Sequence, residues 1–114
     1  MKWFKVFESD ALDKPDFIKL VVVNGKSFCA VKIDQSVFII QPYCPHAGAG
    51  LSGGWCVGHK IVCPFHRYEY DLYSGRGATG QGDYIDCYTV EKRSDGIYVR
   101  LPEKFGFLKR LLKM

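Results

Sequence analysis

No run of apolar residues in this chain is long enough to cross a bilayer or to form the core of a secretory leader. The first ten residues, M-K-W-F-K-V-F-E-S-D, are interrupted by charge every few positions. The expectation is a cytoplasmic chain with no integral membrane segment. Charge of one sign is scarce as well. Sixteen Lys and Arg against 12 Asp and Glu leave a formal net charge of +4, too mild for a nucleic-acid surface. The excess is uneven, because Lys104 to Met114 holds four of the 16 basic residues and no acid. Length is limited too. A chain of 114 residues is expected to form one domain that buries roughly two thirds of its unfolded surface, without a separate catalytic domain.

What is present is concentrated between Pro42 and Tyr73. Cys44 and His46 form one short clip, and Cys63 and His66 form a second. Sixteen residues separate the clips. Pro42, Pro45 and Pro64 stiffen them, and glycines at 48, 50, 53 and 54 allow the loop between them to turn tightly. Two thiolates and two imidazoles suit zinc or an iron–sulfur cluster. The order separates these readings in part. Zinc fingers tend to group Cys with Cys and His with His, whereas each clip here is mixed. Two loops running side by side along an iron–iron axis could each give a Cys to one iron and a His to the other. A structural Cys2His2 zinc site is the plainer alternative.

The stretches C-P-H-A-G-A-G-L-S-G-G-W and C-P-F-H-R-Y-E-Y-D-L-Y-S-G-R resemble the two cluster-binding boxes of Rieske 2Fe–2S proteins, C-x-H-x-G-x-x-L and C-P-x-H-x-x-x-F/Y-D. Gly48, Leu51, Gly54, Ile61, Pro64, Tyr70, Asp71 and Gly75 match along with the four ligands. The resemblance implies one Rieske-type 2Fe–2S cluster, with Cys44 and Cys63 on a buried iron and His46 and His66 on an outer iron near the surface. It implies no catalytic residues. Rieske centres also stand at the front of large oxygenase subunits that carry a mononuclear iron, but no second set of His and Asp is present for such an ion. The resemblance therefore points to a soluble Rieske-type ferredoxin. Such a protein would carry one electron from a flavin or NAD(P)H reductase to an oxygenase or similar acceptor. The alternatives are a small subunit of a larger redox enzyme, such as a nitrite reductase-like assembly, and a redox or iron sensor.

The remaining residues read as strands. Trp3 to Phe7 begins the chain, and Phe17–Val23 and Ser27–Ile33 flank Asn24-Gly25, a strong hairpin signal. Val37–Ile40 follows a tight turn at Asp34-Gln35. Trp55–Val57 and Lys60–Val62 pair around Gly58, Tyr68–Leu72 follows the second clip, and 74–83 is a glycine-rich loop. Tyr84–Val90 and Ile97–Leu101 flank Ser94-Asp95-Gly96. The pattern predicts an all-β chain, an antiparallel barrel or sandwich. The resemblance makes this the Rieske fold over 1–114, with a small cluster-bearing subdomain inserted at about 42–76.

The tail, 103–114, places Phe105, Leu108, Leu111 and Leu112 on one helical face among basic residues. Such a helix packs back on the body, or docks on an acidic partner or a membrane surface. His59 matches no ligand position and is expected in a solvent-facing turn. Cys29, Cys56 and Cys87 are expected as reduced, mostly buried thiols.

High-potential Rieske proteins bridge their boxes by a disulfide and carry a Ser hydroxyl beside the cluster. Here Ala49 and Phe65 stand at the two Cys positions and Tyr68 at the Ser position. Within the Rieske range of about −150 to +300 mV, redox titration is expected to place the midpoint near the low end. A value above about +150 mV contradicts this reading.

Overall fold

The computed structural model describes residues 1–45 and 48–102. His46 and the tail at 103–114, two expectations drawn above, lie outside the described residues.

Among the described residues, ten strands form three antiparallel sheets. The first sheet joins β1 (Lys2–Glu8), β10 (Gly96–Leu101) and β9 (Val90–Arg93), with β10 central. The second runs β2 (Phe17–Val23), β3 (Lys26–Ile33), β4 (Ser36–Ile40) and β8 (Cys87–Tyr88). The third is small: β5 (Trp55–Val57), β6 (Lys60–Val62) and β7 (Glu69–Asp71). The all-β antiparallel class expected from turn spacing is therefore the observed one. The turn at Asn24-Gly25 has positive φ at both residues, 51° and 78°, which is the type I′ geometry that matches strand twist. It sets the register Val23↔Lys26 through Phe17↔Lys32.

β3 loses the polar alternation of a half-solvated strand. Phe28 through Lys32 are buried without interruption, because the second sheet is covered on both faces. One face carries Phe28, Ala30, Val37 and Ile39, which pack on Ile97, Val99 and Leu101 of the first sheet. The other carries Cys29, Val31 and Ile40, which pack on Leu51, Ile61, Tyr70, Leu72 and Ile85. Cys44 and Cys63 belong to that second core. The one charge in the buried run, Lys32, reaches Asp16 Oδ1 at 3.4 Å.

Two sequence expectations are corrected here. Tyr84–Val90 is not one strand. Its residues divide between the second sheet, through Cys87–Tyr88, and the first, through Val90. The unligated thiols are not mostly buried: Cys29 is buried, Cys56 is half-buried and Cys87 is exposed.

Phe28 is 2% exposed and meets Tyr88 edge-to-face with centroids 5.1 Å apart. Phe28→Ala is expected to cost about 3–5 kcal/mol in denaturant unfolding. Val22→Thr, at a position 70% exposed, is expected to change stability by no more than about 0.5 kcal/mol.

Candidate metal centre

The first clip sits in a closed loop after β4. Leu51 N–H donates to Pro42 O at 2.9 Å, Cys44 N–H to Ala49 O at 2.8 Å and Gly48 N–H to Cys44 O at 2.8 Å. Gly48 has φ 70°, a conformation costly for any residue with a Cβ. The loop's base is tied to the strand after residue 85: Gln41 N–H donates to Asp86 O at 3.0 Å, and Asp86 N–H donates to Gln41 Oε1 at 2.7 Å.

The second clip is the turn between β6 and β7. Cys63 N–H donates to Tyr68 O at 2.7 Å, closing the turn. His66 and Arg67 both adopt left-handed backbone, φ 66° and 59°. Two such residues in succession without glycine carry strain of order 1–3 kcal/mol each. Their conformations reverse the chain at its tip, where His66 is exposed against the ring of Phe65, centroids 4.7 Å apart. Gly54 lets the loops close on one another. A Cβ there would overlap the carbonyl of Val62.

The two cysteines are buried, 2% and 0% exposed, and carry no disulfide. Burial pushes the Cys63 thiol above its ordinary range. A backbone N–H from Phe65 opposes this, and the Cys44 side chain, within hydrogen-bonding reach, pushes it further up. Two sulfurs this close in an apolar setting cannot both ionise without a cation to share, so the donor chemistry fits a metal centre. Among the described residues no three His, Cys, Asp or Glu side chains gather as ligands of one ion. A two-iron cluster divides its ligands between its irons, and His46 lies outside the described residues. The structure thus brings Cys44 and Cys63 together beneath a turn whose tip exposes His66.

Tyr70 was matched above only as part of the second box, and 74–83 only as a glycine-rich loop. Tyr70 touches Cys44, and the loop reaches Tyr70 through Asp83. Tyr70 is fully buried, with its hydroxyl 3.4 Å from Cys44 Sγ, and it donates to Asp83 Oδ2 at 2.8 Å. Burial raises the Tyr70 hydroxyl pKa, and the bonds to Cys44 and Asp83 raise it further. A signal was available. A buried Tyr needs a hydroxyl partner, and Asp83 is the one acid in 74–83. His59 is exposed in the turn between β5 and β6, as expected, but its ring rests on Tyr73, centroids 5.2 Å apart.

These elements define the class: a β protein that presents paired thiols and an imidazole on two adjoining loops. The family profile described as the Rieske [2Fe-2S] domain matches residues 2–89, and the chain belongs to that family. Its cofactor is a Rieske-type 2Fe–2S cluster.

The ferredoxin of carbazole 1,9a-dioxygenase from Nocardioides aromaticivorans superposes with a TM-score of 0.77 at 27% identity, covering 90% of this chain and 100% of that one. A ferredoxin component of naphthalene 1,2-dioxygenase/salicylate 5-hydroxylase systems from Ralstonia is 30% identical over 56 residues, 49% of this chain and 54% of that protein. Cholesterol 7-desaturase of Xenopus laevis is 31% identical over 76 residues, 65% of this chain but 16% of the enzyme. The chain thus spans about half of the Ralstonia relative, 54%, and a small part of the desaturase, 16%.

Asp71, just past the second clip, accepts from Tyr73 N–H at 2.8 Å and Ser74 N–H at 2.9 Å. The Ser74 N–H, then that of Tyr73, holds its carboxyl below the usual range. A carboxyl lowered in the folded state stabilises above the unfolded value of about 3.9, and that contribution disappears as pH falls through the folded value. Asp71→Asn is therefore expected to melt below wild type at neutral pH, with the gap closing in strong acid. Thermal melts across that range check it.

Proposed function

We propose that this chain is a ferredoxin-type carrier of one electron, accepting it from a flavin or NAD(P)H reductase and delivering it to an oxygenase. The observation that carries this reading is the fit to the Nocardioides ferredoxin, which is matched over its entire length at 27% identity. In the desaturase, by contrast, the match is confined to 16% of the enzyme. In this reading residues 1–114 are a single Rieske domain with its cluster-bearing part at about 42–76. A cytoplasmic location agrees with five cysteines that form no disulfide.

Cys44 and Cys63 would hold the inner iron and His46 and His66 the outer one. Burial of both sulfurs and exposure of His66 support that division. When bound, the cluster supplies a site that gains and loses a single electron. The chain's own residues do the rest. The second core keeps water from the sulfurs. The left-handed turn at His66 and Arg67 holds an imidazole at the surface, and Phe65, 57% exposed, adds an apolar contact beside it. Such an arrangement suits brief docking to a redox protein.

Purified protein, once reduced, is expected to give a Rieske EPR signal with an average g below that of all-cysteine clusters. It should be reduced by a reductase with NAD(P)H and reoxidised by an oxygenase in stopped-flow mixing. Cys63→Ser is expected to lose most of the bound iron. A colourless, EPR-silent zinc protein would defeat the proposal.

A further inference from the structure

The Tyr70 hydroxyl has one proton and two neighbours that could take it, Asp83 Oδ2 at 2.8 Å and Cys44 Sγ at 3.4 Å. A carboxylate oxygen at this distance is the stronger acceptor. A sulfur bound to iron has no proton of its own to offer in return. It therefore faces an oxygen lone pair where it could have faced a donor. We propose that Asp83 is a positioning residue that lowers the reduction potential of the centre by holding the Tyr70 proton away from Cys44. This inference rests on the cluster reading above.

The direction follows from charge. Reduction adds an electron, so a hydrogen bond donated to a ligand sulfur favours the reduced state, and its loss favours the oxidised state. The Asp83 carboxylate, one hydroxyl removed from that sulfur, acts in the same direction.

The rest of the loop serves to fix Asp83. Gln81 Nε2 donates to Asp83 Oδ1 at 3.2 Å. Gln81 is itself clamped to the backbone of Glu69, accepting from its N–H at 2.9 Å and donating to its carbonyl at 3.1 Å. Gly77 N–H donates to Asp83 O at 2.9 Å. The absence of a side chain at Gly77 is required by this arrangement, since a Cβ there would stand 2.7 Å from both Asp83 Oδ1 and Gln81 Nε2. Asp83 is thus held by Gln81 and Gly77 against a hydroxyl that is itself fully buried. A carboxylate serving only as surface charge needs no such mounting.

The test is a double-mutant cycle on the cluster-loaded protein, read by redox titration and by resonance Raman of the iron–cysteine stretches. Asp83→Ala is expected to raise the midpoint and lower those frequencies, because the freed hydroxyl turns onto the sulfur. Tyr70→Phe alone is expected to leave the midpoint nearly unchanged, yet to remove most of the rise when combined with Asp83→Ala. Asp83→Asn keeps an acceptor and is expected to give a smaller rise. It also carries the test if Asp83→Ala fails to hold iron.

An unmoved midpoint in the Asp83 variants overturns the inference. So does a rise of equal size with and without Tyr70, which would make Asp83 a plain charge. A large fall in Tyr70→Phe alone overturns it as well, since the sulfur would then already own that proton. Wild-type protein lacking a Rieske EPR signal sinks the cluster reading itself, whereas a normal signal with unmoved potentials sinks only the role of Asp83.

Discussion

Two sulfurs buried side by side are the constraint that the rest of this structure answers. Cys44 and Cys63 come from loops at opposite ends of the central stretch, yet share one apolar core. Left as thiols they are poor company for charge; as thiolates they require a cation between them. Most of the local sequence can be understood as bringing them together. Gly54 removes the side chain that would hold the loops apart. Backbone bonds close the first loop on Ala49 and the second on Tyr68. A hydroxyl and a carboxylate form a polar wall behind Cys44.

That wall would be useless on a yielding support. The second sheet supplies stiffness because it is covered on both faces, so β3 cannot present a polar side to solvent. Its one buried ammonium, Lys32, is met by Asp16 at the strand's end, where Asp34 N–H also binds the same oxygen at 2.8 Å. Strand pairing, the base core and the centre's core thus meet in a single strand. Substitutions in β3 act on the base and on the centre together.

Much of this was legible before any coordinates. Hairpin chemistry at Asn24-Gly25 gave the β2–β3 register, because positive φ at both positions admits few residue types. The two clips pointed to a metal cofactor, since thiolate and imidazole in that alternating order suit few others. What was not legible depended on contacts between segments remote in sequence. Nothing local in Tyr84–Val90 says that it serves two sheets. Burial on both faces of β3 hid its alternation, and Cys87 sits in a strand-like run yet emerges at the surface. Tyr70 and Asp83, 13 residues apart, meet only because the glycine-rich loop folds back on β7.

The divided segment has a consequence for how the molecule comes apart. Cys87–Tyr88 is stitched to β4, Val90–Arg93 to β10, and the residue between them, Thr89, accepts the N–H of Arg100 at 2.9 Å. A strand shared in this way works as a coupling rod. Opening of β4 and opening of β10 are thereby linked through the backbone on either side of Thr89.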